Sequence, residues 1–520
     1  MKFKILLPLL LFVVDSAFSQ NTTSKFQVKY HKNLEIYFLA ELLATDYNPD
    51  RTGKSLSGYA NYRKEIRYNH TIYNPIAHQA IEDYKNDARW EKMAKQTANL
   101  NDAFADVNIG NSAMMYPLVL QNEFPTDNYN ILTDYNFNDA RLTKEQNAHI
   151  EELIKNYVKA LGELYKTLNF DLFLAKNKSF YKGAIEEIYK NVTPKSFDNI
   201  EKLYGESFLA YNVYVSPMFS VPIENNQGRG IAGSITTQKG TMPFQVLAPF
   251  VKVVAEKKIN EYKSFGYDYQ PTVQSLTVHE FSHSFVNKEV EKYSSRIQKS
   301  DSLFKKSMLI NPEIMPTQGV QDWLTFIEES LVRLGELRVA SLDKDDKRYD
   351  WLKEEYYNKY KYVLMPELEQ KIKFYENNRA TYPKYADFMP ELIAFFESQS
   401  ISSLNDKIKD LNVKTRTQIV GYTSNENDII FKYQLEKNQS YVTKVSIAGS
   451  FSNWNPKDEK FALKKISDWQ YELSIPKTNF EKGKIYQFKF VLNENQWMTA
   501  PYTAKNIETD GGVVNLSFIF

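Results

Sequence analysis

Val278-His279-Glu280-Phe281-Ser282-His283-Ser284-Phe285 decides how this chain is read. On a helix, residues four apart lie one turn along the same face. His279 and His283 have that spacing, so their imidazoles can share one zinc ion. Glu280 then stands beside the open position of the metal as a general base. Leu276, Thr277 and Val278 lead into the motif, and Phe281 and Phe285 offer apolar anchors. Neither Pro nor Gly interrupts 272–290, which predicts an unbroken helix there. The chain has only six histidines in 520 residues. Two of them at helical spacing around a glutamate argue for a metal site over a solvated surface helix.

A catalytic zinc takes three protein ligands and keeps a fourth position open. A third histidine six residues beyond the motif is excluded, because position 289 is Glu and no histidine follows His283. There is no cysteine, so thiolate ligands and thiol nucleophiles are excluded too. That leaves a carboxylate on a later helix. Glu328 and Glu329 lie in Trp323-Leu324-Thr325-Phe326-Ile327-Glu328-Glu329-Ser330-Leu331-Val332-Arg333. Leu324, Leu331 and Val332 give Glu328 the apolar surround of a buried ligand. Glu329 has Arg333 one turn on, an i,i+4 partner able to orient it. Periodicity slightly favours Glu328, and both stay open at this point. Glu289, Glu291 and Glu313 lie too near the motif helix or in a Pro-bounded loop. His31, His70, His78 and His149 read as surface or core residues.

Lys and Arg number 65 against 64 Asp and Glu, a net charge of +1, which gives no ground for a nucleic-acid partner. Met1-Lys2-Phe3-Lys4 is a basic start, Ile5–Val14 is apolar, and Ala17-Phe18-Ser19 offers small residues before Gln20. This is the pattern of a secretory signal over 1–19, cleaved near Ser19/Gln20. The chain is therefore expected to be exported, to the periplasm or the medium. No Cys follows to carry a lipoprotein anchor, and no disulfide can form. No later run is long and apolar enough to predict a membrane span. The 36 tyrosines and 33 phenylalanines exceed what a core needs, so some should line clefts.

The expected class is α+β. Residues 20–411 read as one mainly helical domain, 412–427 as a polar linker, and 428–520 as an all-β sandwich. Helical stripes run over Asn33–Leu43, His149–Leu168, Trp323–Val339 and Leu352–Tyr375. Residues 20–30 read as polar and flexible. Phe208–Pro222 and Gly228–Thr237 read as strands around a turn at Asn225-Asn226-Gln227-Gly228. They form either an ordinary hairpin or a shelf whose edge strand holds an extended peptide. In the last region, strands are expected at Ile429–Tyr433, Val442–Ala448, Phe461–Lys465, Gln470–Ile475, Ile485–Leu492 and Val513–Phe520.

The motif segment Val278–Asn287 carries a resemblance, together with Leu34-Glu35-Ile36-Tyr37-Phe38-Leu39-Ala40-Glu41-Leu42-Leu43, Leu168-Asn169-Phe170-Asp171-Leu172-Phe173 and Glu329-Ser330-Leu331-Val332-Arg333. Over roughly residues 30–400, the chain resembles an exported bacterial family catalogued as domain of unknown function 4932, with a zincin-like HEF(G/S)HxFVN signature. The resemblance implies a gluzincin-type peptidase acting on a peptide or protein. One Zn2+ would be held by His279, His283 and Glu329, with Glu328 as second choice. Glu280 would be catalytic, and Arg333 an electrophile or an orienter. Ala448-Gly449-Ser450-Phe451-Ser452-Asn453-Trp454, Tyr486-Gln487-Phe488-Lys489-Phe490-Val491 and Gln496-Trp497 resemble the glycogen-binding module of AMP-activated protein kinase, an Ig-like early-set fold. That resemblance implies indole stacking of Trp454 and Trp497 on an α-glucan or other glycan, with Lys489 bonding a hydroxyl. The leading expectation is an exported zinc metallopeptidase. The alternative is an inactive zincin-like scaffold that binds glycan or protein through its C-terminal sandwich.

Overall fold

The structure, a computed structural model, describes residues 25–44, 73–129, 137–219, 230–311, 314–415 and 419–520, apart from breaks of one to four residues within those spans. The signal read at 1–19 lies outside them, as do the turn at 225–228, His70 and Glu313. The class is α+β, with helices and one small sheet up to Thr415 and two further sheets after it. No described helix is long and apolar enough to cross a membrane.

Helix α1 (Lys32–Ala44) carries Leu34, Ile36, Tyr37, Phe38, Leu39, Leu42 and Leu43 around its whole circumference, all buried. A helix apolar on every side belongs inside a core. It packs on the helix Ala88–Asp106 and on α2 (Lys144–Leu168). Helix α2 buries the expected stripe of Ile150, Ile154, Tyr157, Val158 and Leu161, but starts before His149. Thr143 Oγ1 accepts from Gln146 N–H at 3.2 Å and Gln146 Oε1 accepts from Thr143 N–H at 2.9 Å, closing a capping box over a polar first turn that shows no apolar period.

Strands β1 (Phe26–Lys29), β2 (Tyr211–Val215), β3 (Gly230–Thr237) and β4 (Gly240–Leu247) form a sheet in the order β1-β2-β4-β3. The first two pairings are parallel, and β3 returns antiparallel along β4. β1 corrects the expectation of a flexible stretch over 20–30: Phe26 and Val28 point inward and are buried, alternating with Gln27 and Lys29. β4 was hidden from sequence by Pro243, which argues against a central strand. Its pairing with β2 begins only at Phe244, so the missing N–H of Pro243 is not needed on that side. Among the described residues, the strand read over Phe208–Pro222 is Tyr211–Val215.

Helix α3 (Thr272–Glu291) is the unbroken helix expected around the motif. It packs against β3, β4 and α4 (Trp323–Leu342). Phe281 meets the rings of Phe197 and Tyr211, and Phe285 those of Tyr204 and Phe208. These anchors fix the rotation of α3 about its own axis. A Cβ on Gly335 of α4 would lie 2.1 Å from the Tyr204 hydroxyl, so glycine is what permits the close approach there. The single helix read over Leu352–Tyr375 is broken. Helix Asp346–Lys353 passes into a π-helical turn, Glu354–Lys359, and Lys361 takes a left-handed φ of +55°. A new helix, Met365–Asn377, then starts with Pro366 in its first turn.

Helix α5 (Ile401–Thr415) runs into the stretch read as a linker, 412–427, and β5 (Tyr422–Ser424) starts inside it. β5, β6 (Asp428–Gln434), β8 (Lys464–Ser467) and β9 (Gln470–Pro476) form an antiparallel sheet ordered β5-β6-β9-β8. The facing sheet is built on β10 (Tyr486–Leu492). It holds β7 (Val445–Gly449) on one edge, and β11 (Gln496–Trp497) and β13 (Val513–Phe518) on the other, with β12 (Ile507–Asp510) beyond β13. Ile429, Phe431 and Ile475 from the first sheet meet Ile447, Phe488, Phe490 and Phe518 from the second in one core. Lys252 joins the two parts of the molecule, lying 4.7 Å and 4.3 Å from the ring centroids of Tyr73 and Tyr441.

Glu35 is buried within α1 and accepts a hydrogen bond from the Tyr181 phenol. Burial pushes its carboxyl from 4.5 up to about 8. The folded state therefore holds the proton more tightly than the unfolded chain does. Stability from this source is complete below about pH 4.5, falls as pH rises, and is gone past about pH 8. Glu35→Gln is neutral throughout. Thermal melts at about pH 5 and about pH 8 should show a smaller drop in Tm for the variant than for the wild type. Equal drops would contradict this account.

Candidate metal centre

Helix α3 presents His279 and His283 on the face turned toward α4, and α4 presents Glu329 to both. The two Nε2 atoms are 3.2 Å apart. His279 Nε2 lies 3.6 Å from Glu329 Oε2, and His283 Nε2 lies 3.6 Å from Glu329 Oε1. Zinc bonds of about 2.0–2.1 Å in a tetrahedron put neighbouring ligand atoms about 3.3–3.4 Å apart. The three observed separations bracket that edge length. Among the described residues, this is the one His/Asp/Glu group whose ligand atoms all lie within 4.8 Å of one another. Glu328 is not part of it, so of the two glutamates left open by spacing, only Glu329 reaches the histidines.

The other ring nitrogens are occupied. His279 Nδ1 meets Glu336 Oε1 at 2.6 Å, and His283 Nδ1 meets Asn287 Oδ1 at 3.0 Å. An oxygen at each Nδ1 favours the tautomer that carries its proton there, which leaves both Nε2 lone pairs facing the Glu329 carboxylate. In that tautomer three acceptors converge, and they repel one another unless a cation lies in their midst. Burial depresses the His279 pKa well below the usual histidine range, so its ring stays neutral. Burial acts to raise the Glu329 carboxyl, but the Arg333 guanidinium beside it holds it below the ordinary value.

Arg333 Nη2 lies 3.0 Å from Glu329 Oε2. Its side chain is only 12% exposed, and its guanidinium sits 4.8 Å, 5.0 Å and 5.8 Å from the ring centroids of Tyr356, Tyr362 and Tyr360. Of the two roles the sequence left open, orienting the carboxylate is the one this placement serves. Glu280 follows His279 on α3, and burial pushes its carboxyl up to about 7. Burial lifts Glu328 to about 7 as well. A Cβ on Gly230 of β3 would come within 3.1 Å of Glu280 Cγ, and Ser234 Oγ bonds Ser284 Oγ at 2.8 Å. β3, the last strand of its sheet, therefore crosses α3 directly over the general-base candidate.

Sequence reading missed Asn287 and Glu336. Asn287 stands four residues after His283, and Glu336 seven after Glu329, one and two turns along the same faces. A glutamate within Leu334-Gly335-Glu336-Leu337 was a visible signal, since an acid in an apolar helical run needs a buried partner.

In the C-terminal sandwich, the Trp454 and Trp497 rings lie 6.3 Å apart at 42°. Trp497 is 40% exposed. Trp454 follows Asn453 in left-handed backbone, φ +50° then +56°, an uncommon conformation for a bulky residue. Trp497 pairs with Val491, and Lys489 lies two residues earlier on β10, so all three share the face opposite the core residues Phe488 and Phe490. Burial lowers the Lys489 amine.

No curated protein and no solved structure matches this chain. The family described as domain of unknown function (DUF4932) matches residues 53–395, a segment that contains the histidine pair, Glu329 and the residues that orient them. By that match, which spans more than half of its length, the chain belongs to the DUF4932 family.

Proposed function

We propose that this protein is a zinc-dependent metallopeptidase of the gluzincin type, exported through its N-terminal signal. One observation carries the reading: two histidine Nε2 lone pairs and a carboxylate converge at the spacing of a tetrahedral site. When bound, the ion supplies Lewis acidity, lowering the pKa of water to about 7 and polarising a scissile carbonyl. Glu280 accepts a proton from the attacking water and delivers it to the leaving nitrogen. Glu280 stands beside the ligands without being one of the three converging groups, which leaves its carboxylate available for both transfers. Glu336 and Asn287 hold the imidazoles in the tautomer that ligation needs, and Arg333 holds Glu329. An extended peptide would pair with the edge of β3 near Gly230, where the strand meets Glu280; further along, Ser234 N–H is taken by the Tyr116 hydroxyl at 3.2 Å. The test is metal analysis of the purified chain beside hydrolysis of an unfolded protein. About one zinc per chain is expected, with activity lost to a chelator and restored by zinc. A chain that takes up no zinc ends the proposal.

A second reading concerns the sandwich, and the neighbouring rings of half-buried Trp454 and exposed Trp497 support it. We propose an Ig-like early-set module whose indoles stack on an α-glucan, with Lys489 bonding a hydroxyl on the same face. Binding to glycogen should be lost in Trp454→Ala and Trp497→Ala. Wild-type retention of both variants on glycogen would remove the assignment.

A further inference from the structure

The segment Glu354-Glu355-Tyr356-Tyr357-Asn358-Lys359-Tyr360-Lys361-Tyr362 is irregular. Its π-helical turn is closed by Tyr360 N–H donating to Glu355 C=O at 2.8 Å, and Tyr362 N–H then donates to Tyr356 C=O at 2.9 Å. Single π-helical turns within helices recur at functional sites, because the wider turn re-aims side chains. Here Tyr356 is turned into the metal centre and buried.

Tyr356 makes two separate contacts. Its hydroxyl donates to Glu336 Oε2 at 2.5 Å, and the other oxygen of Glu336 faces His279 Nδ1 at 2.6 Å. Its ring lies 4.8 Å from the Arg333 guanidinium, which is paired with Glu329 at 3.0 Å. One side chain thus holds the partner of a histidine ligand with its oxygen and the partner of the carboxylate ligand with its π face. Glu336 is 1% exposed, so solvent cannot replace the phenol once it is lost.

We propose that Tyr356 is a positioning residue that sets the geometry and zinc affinity of the centre through two of the three ligands at once. The inference rests on the metal-site reading above. Substitution can separate the two contacts. Tyr356→Phe removes only the hydroxyl and keeps the ring over Arg333, whereas Tyr356→Leu removes both. Outer-shell partners of metal ligands are worth about 10–100-fold in affinity. Competition with a chromophoric chelator should show Tyr356→Phe binding Zn2+ about 10-fold more weakly than the wild type, and Tyr356→Leu more weakly still, toward about 100-fold.

The visible spectrum of the Co2+-loaded protein reports ligand geometry, which a role confined to packing would not move. It is expected to change in Tyr356→Phe, whatever Tm the metal-free protein loses with the buried hydrogen bond. Glu336→Gln probes the same link from its other side and should weaken zinc to a similar degree. Tyr356→Phe with wild-type affinity and an unchanged cobalt spectrum would overturn the inference. So would equal affinities for the Phe and Leu variants. If the wild type binds no Zn2+ at all, it is the metal-site reading itself that falls.

Discussion

Glu280→Ala is expected to lower kcat and kcat/KM for peptide hydrolysis together, by about 10³-fold, while the chain keeps its zinc. Glu280 lies next to a ligand in sequence but is not one of the three groups that converge. Removing it leaves His279, His283 and Glu329 with all their partners. A group that acts only as the reaction proceeds affects kcat and leaves substrate binding nearly unchanged, which separates this role from a ligand's. The variant also sheds a half-buried carboxyl that desolvation already pushes up to about 7, so no loss of Tm should accompany the loss of rate. Glu280→Gln keeps the shape without the base and should be as slow as Glu280→Ala. Steady-state rates on a fluorogenic peptide, with zinc content measured on the same samples, decide the matter. A variant retaining more than about a tenth of the wild-type rate would remove Glu280 as the base.

The second large effect distinguishes two adjacent residues. Glu329→Ala should weaken zinc by more than about 100-fold, beyond what outer-shell partners are worth, whereas Glu328→Ala should change it by less than about threefold. The substitution also leaves the Arg333 guanidinium buried without its carboxylate, and breaking a buried pair this way costs about 3–5 kcal/mol. Glu329→Ala should therefore show a lower Tm even without metal. Glu329→Gln retains an oxygen near Arg333 and should recover part of that Tm without recovering zinc. Equilibrium zinc titration of the four proteins settles the assignment. Should Glu328→Ala lose the metal while Glu329→Ala keeps it, α4 has been read in the wrong rotation.

Which parts of this site were legible depended on distance along the chain. His279, Glu280 and His283 lie within one helical turn, and helical periodicity alone places them. Glu329 is remote from them in sequence. Its neighbour Glu328 fitted the apolar pattern slightly better, and only the packing of α4 on α3 brings Glu329 to the histidines instead. Glu336 had a signal, an acid in an apolar run, but nothing in the sequence pointed it at His279. Tyr356 had none: it stands among five tyrosines between 349 and 362, and a π-helical turn that no propensity encodes selects it. Among the strands, β10 alternates apolar and polar residues clearly, while the alternation in β1 is only four residues long and easily taken for a tail. β4 was concealed by a proline that lies just before its pairing with β2 begins.

The family match begins at residue 53, yet β1 and α1 precede it, and both are built into the unit that carries the metal centre. A recombinant fragment trimmed to 53–395 would strip the sheet of its first strand, leaving the backbone of β2 open to pairing with a neighbouring molecule. It would also empty the slot that α1 fills with Leu34, Ile36, Leu39 and Leu42. Insolubility of such an excised piece would therefore reflect where it had been cut and would carry no information about its chemistry. Any expression design should begin upstream of Phe26.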